Sequence, residues 1–329
     1  MKDILNKLFE YKSLDRKTAK EILGNLAQGR YNNSEMAAFL TVYLMRSITV
    51  DELTGFREAM LELCLPVAIA EYDAIDLCGT GGDGKDTFNI STLASFIVAG
   101  AGQNVAKHGN NSVSSVCGSS NVLAYFGYEF TNDVDKLKRS LDQSGICYMH
   151  APMFHPAMKN VAPVRRELGV KTFFNMLGPM VNPSFPKKQL TGVFSLELAR
   201  LYAYLFQQTD TDFMVIYALD GYDEVSLTGN FKILTPSDQQ IVSPADLGLD
   251  TYKPEELSGG KTVEDAAGIF LSVLENRSTR AQKEVALANA GMALYCSDSS
   301  LGLQGAVDKA RVSLESGAAL KSFKTLMGI

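Results

Sequence analysis

The feature that most constrains the fold is a glycine-rich segment, Gly79 to Thr92, placed between a strand-like run and a helix-like run. The preceding residues 74–78 are short and mostly apolar, which is typical of a buried parallel strand. Glycines let the backbone turn tightly and approach a ligand, and Asn89 precedes the apolar run Leu93 to Val98. Phosphate binds well at a helix end whose first amides lack partners. The segment therefore predicts a phosphate-binding turn between a strand and a helix.

Two kinds of region follow one another along the chain and predict two domains. Residues 1 to about 65 read as helices, with Asn33 and Ser34 before a strongly apolar segment and a capping-box pattern at Thr49 to Glu52. From about residue 71, strand-like and helix-like runs alternate, which is typical of a parallel sheet with helices on both faces. We therefore expect an α/β protein with a small N-terminal helical domain and a larger α/β domain built on a mainly parallel central sheet.

The alternating region also gives approximate element boundaries. Strand-like runs lie at 74–78, 103–107, 146–149, 190–194 and 213–219, and helix-like runs lie at 91–101, 119–126 and 133–143. A more polar region between 224 and 242 is predicted to be antiparallel, and the chain from Thr279 onward is predicted to be helical again.

One stretch breaks the alternation. Residues 155–168 are helical in pattern and are followed by the loop-like residues 175–183, so we interpret this stretch as an excursion back onto the helical domain. The expected helical domain is then 1–68 plus about 158–184. The expected α/β domain is 71–157 and 185–329.

Composition excludes several classes of protein. The 329 residues are 46% hydrophobic with a net charge of −6, which fits a globular protein and argues against a nucleic-acid or membrane-surface binder. The 5 cysteines are scattered without a Cys-x-x-Cys pair, so neither a disulfide framework nor a zinc site is expected, and a reducing cytoplasm fits. No apolar run is long enough for a membrane span.

The glycine pattern alone leaves several interpretations open. Gly79 to Lys85 comes close to a nucleotide-binding P-loop, but Asp86 stands where that motif needs Ser or Thr. The dinucleotide pattern is met by glycines 79, 81 and 84, yet two aspartates crowd the loop and no ribose-binding acid is marked. A turn with no ligand remains a third interpretation.

Polar residues follow other predicted strands as well. Lys107 to Asn110 follows the second strand, and small polar residues at 114–119 come soon after. Because ligands of open α/β folds sit at the carboxyl edge of the sheet, these groups favour a phosphate site over an empty turn.

Two charged pairs complete the candidate site. Asp223 and Glu224 follow the strand at 213–219, and adjacent carboxylates at a strand end suit magnesium when a phosphate-rich substrate is present. Arg165 and Arg166 lie on or near a helix end, where a guanidinium can hold a carboxylate with two hydrogen bonds. Solvated surface charge is the alternative interpretation of both pairs.

Taken together, these motifs resemble the anthranilate phosphoribosyltransferase family from one end of the chain to the other. The matching segments, in family order, are 79–83, 89–92, 107–110, 114–119, 155–158, 164–169, 174–179 and 223–224. The resemblance implies transfer of phosphoribose from phosphoribosyl pyrophosphate to the amine of anthranilate, with loss of pyrophosphate. It also implies a two-domain scaffold similar to class II nucleoside phosphorylases.

The resemblance further implies a set of site residues. Those implied for phosphoribosyl pyrophosphate are Gly79, Gly82, Asp83, Thr87, Asn89, Ile90, Ser91, Thr92, Lys107, His108, Gly109, Asn110, Asn111, Ser112, Val113, Ser114, Ser115 and Ser119. Those implied for anthranilate are Gly79, Asn110 and Arg165, and those implied for two Mg²⁺ ions are Ser91, Asp223 and Glu224. No side-chain base is assigned. A homodimer through the helical domain is implied, and an anthranilate synthase amidotransferase is a candidate partner.

The chain departs from the family pattern at two places. Ser120 and Asn121 stand where the family commonly has Ala-Asp, and Lys171 stands where it has Arg before Thr. Two alternative functions stay open: a pyrimidine nucleoside phosphorylase, and a non-catalytic paralogue that binds nucleic acid. The acidic net charge and the intact acidic pair argue against the paralogue.

Overall fold

The computed structural model describes residues 1–112 and 116–328. The helices are α1 (Lys2–Phe9), α2 (Arg16–Ala27), α3 (Asn33–Met45), α4 (Val50–Glu62), α5 (Ile90–Gly100), α6 (Ser119–Tyr125), α7 (Val134–Ser144), α8 (Ala151–Phe154), α9 (Ala162–Leu168), α10 (Phe174–Leu177), α11 (Leu196–Phe206), α12 (Val263–Leu274), α13 (Arg280–Ser297), α14 (Gly302–Glu315) and α15 (Ala318–Met327). The strands are β1 (Ile75–Gly79), β2 (Val105–Gly109), β3 (Ile146–His150), β4 (Lys188–Gly192), β5 (Asp212–Ala218), β6 (Phe231–Leu234) and β7 (Gln239–Val242). Within these residues, no helix has the length and apolar character that crossing a membrane requires.

The chain divides into two compact units. The helical unit comprises Met1–Val67 and Ala151–Pro183, and the α/β unit comprises Ala68–His150 and Ser184–Ile329. The second segment of the helical unit begins at Ala151, whereas the sequence interpretation placed 151–157 in the α/β domain. The difference arises because β3 ends at His150 and the chain turns at once into α8, where the Phe154 carbonyl accepts a hydrogen bond from the Leu65 amide.

Local capping fixes the helices of the helical unit. Thr49 and Glu52 form the predicted capping box at the start of α4. Asn32 forms a second box with Glu35 at the start of α3, one residue before the predicted start, because its side chain accepts from the Glu35 amide. The predicted helix over 155–168 is a 3₁₀ turn (Pro156–Asn160) followed by α9, since each segment starts with a proline in its first turn.

The sheet of the α/β unit has the order β3-β2-β1-β4-β5-β6-β7. The strands from β3 to β5 pair in parallel, and β6 and β7 pair antiparallel. The prediction of a mainly parallel sheet with an antiparallel region is confirmed. Since β1 leads to β2 on one side and β4 leads to β5 on the other, the point where the winding reverses lies between β1 and β4.

The core of the α/β unit lies between the sheet and the helices on one of its faces. Helices α5 and α13 are buried over nearly their whole length, which explains why their sequences are apolar or alanine-rich all round. Helices α11 and α12 were not predicted from the sequence. Because α5 is held on several sides, its N-terminus has a fixed position at the carboxyl end of β1.

Candidate active site

An acidic loop, which carries Asp223 and Glu224, packs on the ends of β1 and β4, where the winding of the sheet reverses. Gly79 and Gly192 are paired residues at the ends of β1 and β4. A Cβ atom on Gly79 would lie 2.4 Å from Asp223 Oδ2, and one on Gly192 would lie 1.6 Å from the Asp223 carbonyl oxygen. The Gly81 amide also donates to Asp223 Oδ2 at 2.6 Å. The loop therefore needs glycine at both strand ends, and Gly192 is a site residue that the sequence analysis missed.

The two carboxyl groups of this loop have too little positive charge around them to ionise as readily as exposed acids do. Burial and the nearby Asp83 raise the pKa of Asp223 to about 7, against hydrogen bonding from the Gly81 amide. Burial and Asp223 raise the pKa of Glu224 well above its usual value, although Lys107 and a hydrogen bond with Ser91 oppose the change. Groups perturbed in this way mark sites where a cation or ligand supplies the missing compensation.

Lys107 is the cation that the fold brings to this cluster. It is almost wholly buried on β2, and its Nζ donates to the Leu77 carbonyl at 2.7 Å and to Ser91 Oγ at 3.5 Å. Burial lowers the pKa of Lys107, while Cys78, Asp76 and Glu224 act in the opposite direction. An ammonium held in this way is a fixed point charge suited to a phosphate oxygen.

The N-terminus of α5 presents polar groups beside the same strand end. Asn89 is the N-cap residue, but its side chain makes no cap hydrogen bond and Nδ2 instead donates to the Cys117 carbonyl at 2.9 Å. Asn89 Oδ1 and Thr80 Oγ1 are buried without a hydrogen-bond partner among the described residues. Such atoms are rare in folded proteins, so they indicate where a ligand would supply hydrogen bonds. An uncapped helix N-terminus favours an anion at the same place.

The outer edge of the glycine-rich loop is held by a segment far along the chain. The Phe88 amide donates to the Leu257 carbonyl at 3.2 Å, and the Gly259 amide donates to the Asp86 carbonyl at 2.9 Å. Thr87 forms an isolated bridge with Ser258. The predicted site residue Thr87 is thus held by residues 257–259, which the sequence analysis did not connect with the site.

The second loop, after β2, folds back on α6. A Cβ atom on Gly109 would lie 2.3 Å from both Ser119 Oγ and Tyr148 Oη, so only glycine fits there. The Asn110 carbonyl accepts from the Ser120 amide at 3.1 Å, and Asn121 Oδ1 accepts from the Ser112 amide at 3.0 Å. His108 is buried, and its amide donates to Asp76 Oδ1 at 3.3 Å. The predicted site residues Val113, Ser114 and Ser115 lie outside the described residues.

Arg165 belongs to the helical unit, on the last turn of α9. Its guanidinium lies over the Phe174 ring at 5.1 Å and donates to Asn175 Oδ1 at 3.3 Å. Burial lowers the pKa of Arg165 somewhat, but an arginine stays charged in proteins. The ring and the amide therefore hold the guanidinium in one orientation, ready for a carboxylate.

The donor set at the acidic loop fits magnesium better than a metal held by protein alone. Among residues 1–112 and 116–328, no group of three or more His, Cys, Asp or Glu side chains is placed to hold a metal ion. Mg²⁺, however, typically takes one or two carboxylates and completes its shell with water and substrate phosphates. Asp223, Glu224 and the Ser91 hydroxyl provide such a partial oxygen set.

A helical domain together with an α/β domain built on a mainly parallel sheet is the architecture of a glycosyl transferase family. Residues 2–64 match the helical bundle domain of the glycosyl transferase family, and residues 71–320 match its a/b domain. The chain belongs to the anthranilate phosphoribosyltransferase family of these transferases.

Relatives and solved structures support this assignment over the full length. The chain is 57% identical to anthranilate phosphoribosyltransferase of Cytophaga hutchinsonii, over 98% of this chain and 99% of that protein. It is 55% identical to that of Flavobacterium psychrophilum, over 99% and 98%. The crystal structure of the Thermus thermophilus enzyme is 30% identical with a TM-score of 0.91, covering 98% of both chains. The Saccharomyces cerevisiae enzyme, solved in complex with PRPP and Mg, shares the fold at 23% identity and a TM-score of 0.89, covering 98% of this chain and 96% of that one.

Proposed function

We propose that this chain transfers the phosphoribosyl group of phosphoribosyl pyrophosphate to the amine of anthranilate, giving N-(5-phosphoribosyl)anthranilate and pyrophosphate in tryptophan biosynthesis. The observation that carries the proposal is the joint placement at the end of β1 of Lys107, the open α5 N-terminus and the acidic pair, buried Asp223 and half-buried Glu224. An anion and a divalent cation are both accommodated there, as a pyrophosphate ester with magnesium requires.

The donor substrate would be bound by the two loops that end β1 and β2. The proposed contacts are Gly79, Gly82, Asp83, Thr87, Asn89, Ile90, Ser91, Thr92, Lys107, His108, Gly109, Asn110, Asn111, Ser112, Val113, Ser114, Ser115 and Ser119. Asn89 Oδ1 is an acceptor and the Thr80 hydroxyl can donate or accept, so ribose hydroxyl groups are suitable partners for both.

Magnesium would be held by Ser91, Asp223 and Glu224, and two ions per subunit are proposed from the family resemblance. The bound metal would neutralise charge on the pyrophosphate as it leaves. The chain's own part is to place the two carboxyl groups beside Lys107. The bound cation would favour their ionised form, as the 2.6 Å hydrogen bond from the Gly81 amide does for Asp223.

Anthranilate would be bound by Gly79, Asn110 and Arg165. The Arg165 guanidinium, fixed by Phe174 and Asn175, would bind the anthranilate carboxylate with two hydrogen bonds. The amine of anthranilate is itself the nucleophile, and departure of pyrophosphate leaves a cation-like ribose carbon. The residues therefore act by orienting the two substrates and stabilising charge, and no side-chain base is assigned.

The helical unit also supports the proposed homodimer. Phe9 and Tyr11 at the end of α1, and Leu44 and Met45 at the end of α3, are 59%, 80%, 45% and 77% exposed. Helices α1 and α3 contact each other, and exposed apolar side chains that form one patch often mark an interface. A Met45→Glu variant should run as a monomer in size-exclusion chromatography with light scattering, while Val312→Glu, an exposed site of the α/β unit, should not change the mass. An anthranilate synthase amidotransferase partner and a cytoplasmic location are further parts of the proposal.

The proposed reaction is tested by the fluorescence of anthranilate. Adding phosphoribosyl pyrophosphate and Mg²⁺ to the protein should deplete the fluorescence, and EDTA should stop the depletion. A folded protein that leaves the fluorescence unchanged would overturn the proposal. Phosphorolysis of a pyrimidine nucleoside by that protein would then assign the phosphorylase function instead, and salt-dependent retardation of nucleic acid in a gel would assign the binding paralogue.

A further inference from the structure

A chain of polar side chains leads from the second loop to the end of β3. Ser119 Oγ lies 2.7 Å from Tyr148 Oη, Tyr148 Oη lies 2.8 Å from Ser120 Oγ, and Ser120 Oγ lies 2.8 Å from His150 Nδ1. These residues all belong to the α/β unit. Three consecutive hydrogen bonds thus connect a residue proposed to contact the donor substrate with an imidazole outside the proposed site.

The middle of this hydrogen-bond chain is closely packed and shielded from solvent. Ser120 and Tyr148 are fully buried, and Gly109 packs so closely that a Cβ atom there would meet Tyr148 Oη. The Phe130 ring stacks on the His150 ring with centroids 4.7 Å apart and an interplanar angle of 24°. Burial raises the pKa of the Tyr148 hydroxyl well above its usual value, so the group keeps its proton. The hydroxyl hydrogens of this hydrogen-bond chain can therefore reorient while its heavy atoms stay in place.

Ser120 and Tyr148 each have one hydroxyl proton and two neighbours in this hydrogen-bond chain. When both protons are used within it, the hydrogen bonds run in one of two directions. In one direction, Ser120 donates to His150 Nδ1 and Tyr148 donates to Ser120. The Ser119 proton then points inward, to Tyr148 or to the Asn110 carbonyl, 3.3 Å from Ser119 Oγ. In the other, His150 Nδ1–H donates to Ser120, Ser120 donates to Tyr148, and Tyr148 donates to Ser119. The Ser119 proton is then available to an external acceptor.

We propose that Ser120 and Tyr148 are positioning residues that set the direction of the Ser119 hydroxyl, and that the tautomer of His150 selects between the two directions. An anionic substrate group at Ser119 favours the second direction, because only there can the hydroxyl donate to it and still keep its hydrogen bond with Tyr148. Substrate binding and the Nδ1–H tautomer of His150 therefore stabilise each other. This inference rests on the proposed function, since Ser119 is a donor-substrate contact only under that proposal.

The selection involves the tautomer and not the charge of His150. His150 is half-buried, and burial, the cause that acts on it, lowers its pKa below the usual value. Among the described residues, its ring contacts Ser120 of α6 and Phe130 of the segment before α7, with the β3 neighbour Tyr148 beyond Ser120. None of these three is charged at neutral pH. At a pH of about 8 the imidazole is neutral in both states.

The direct test is ¹⁵N NMR of the histidine side chains at a pH of about 8, using phosphoribosyl pyrophosphate with Mg²⁺ as the probe. The protein has 3 histidines, so comparison with a His150→Gln sample assigns the signals of His150. On saturation, Nδ1 of His150 should change from an acceptor-type to a donor-type shift. Saturable binding with unchanged His150 signals overturns the inference and leaves the proposed function standing. If the probe does not bind at all, the proposed function fails instead.

Kinetics of two variants give a second test. Ser120→Ala and Tyr148→Phe should each raise KM for phosphoribosyl pyrophosphate about 2- to 10-fold with little change in kcat, the effect of one neutral hydrogen bond. The double variant should be no worse than the more affected single variant, because each substitution breaks the same chain. Additive effects would contradict the inference.

A control separates this role from simple stabilisation of the core. Ser322 is also a buried serine of the α/β unit and donates to the Ser144 carbonyl at 2.6 Å, so Ser322→Ala removes a buried hydroxyl elsewhere. It should lower stability without changing KM. If Ser120→Ala, which installs the residue that the family commonly has there, behaves in the same way, the inference is wrong. The Ser120→Ala variant keeps the test decisive even if Tyr148→Phe does not fold.

Discussion

Each unit contains a buried acidic side chain, but the surrounding groups lower the pKa of one in the helical unit and raise the pKa of one in the α/β unit. In the helical unit, the fully buried Glu52 carboxylate accepts from the Leu14 amide at 2.9 Å, the Thr49 amide at 3.0 Å and the Tyr43 hydroxyl at 3.2 Å. The Arg46 guanidinium donates to it at 3.0 Å. Burial alone would raise the pKa of Glu52, but Arg46 and the amides outweigh it and hold the pKa below its usual value.

In the α/β unit, Asp223 lies next to Glu224 and near Asp83. Burial and Asp83 raise the pKa of Asp223, and burial and Asp223 raise the pKa of Glu224. Lys107 is the nearby cation, and it also lies between backbone and hydroxyl acceptors. The comparison shows that burial of a carboxylate does not by itself identify a functional site. Glu52 has its compensating charge within the protein, whereas Asp223 and Glu224 do not, which is the pattern expected of a structural group and of a candidate ligand site respectively.

The strongest test of this contrast removes the uncompensated charges. An Asp223→Asn, Glu224→Gln variant should lose about 100- to 1,000-fold in Mg²⁺-dependent turnover, because the stabilisation of the leaving group is lost. Its unfolding free energy in urea should not fall, since the variant removes buried repulsion. Asp135→Asn with Glu255→Gln, two exposed carboxylates of the same unit, is the control and should change neither quantity. A marked loss of stability in the first variant would mean that its acids are structural as well.

The converse test removes the compensated carboxylate. Glu52→Ala should lower the free energy of unfolding by about 4 kcal/mol, because it leaves Arg46 and two amides without their acceptor. Turnover per folded molecule should stay close to that of the parent. Glu58→Ala breaks an exposed ion pair with Arg16 and should cost less than about 1 kcal/mol. Equal losses in chemical denaturation for the two variants would remove the distinction between the clusters.

The packing of the acidic loop can be disturbed without changing any charge. Gly192→Ala should cost about 3 kcal/mol of stability and reduce turnover, because its Cβ would overlap the Asp223 carbonyl and displace the loop. The matched substitution Gly268→Ala, in α12 with nothing within 4 Å of its Cβ, should instead add up to about 1 kcal/mol. Both are measured by urea denaturation together with the fluorescence assay. A fully active Gly192→Ala enzyme would show that the loop position is not critical.

The smallest expected effect concerns acid sensitivity of the helical unit. Burial lowers the pKa of His155 to about 4, below that of an exposed imidazole, despite a hydrogen bond with the Val181 backbone that opposes the change. The unfolded chain therefore binds a proton that the folded chain does not, so stability falls as the pH drops from about 6.5 toward 4. The loss from about pH 7 to about pH 5 should be about 2 kcal/mol.

A His155→Gln variant checks this sign. Its unfolding free energy should vary less with pH over the same range, whereas His150→Gln, at a half-buried position, should remove a smaller part of the slope. An unchanged slope in His155→Gln would show that other groups cause the acid sensitivity.

Much of the fold could be predicted because its signals are local. The capping box at Thr49, the apolar run of α5 and the alternation of strands and helices depend on residues a few positions apart. The errors have local causes too: the prolines at 156 and 163 divided a pattern that hydrophobic periodicity alone reads as one helix. The unpredicted helix α11 follows β4 as the crossover that a parallel strand pair requires.

By itself the sequence determined the glycine-rich turn, the apolar strand before it, the helix after it and the acidic pair, since turn chemistry and capping act within a few residues. Only the tertiary structure decided that Asp223 meets the Gly81 amide, 142 residues away, and that Gly79 and Gly192 leave room for it. It also decided that Glu52 is neutralised while Asp223 and Glu224 are not. The physical reason is that desolvation and charge compensation depend on which distant groups share a dry volume, and residue spacing along the chain does not specify that.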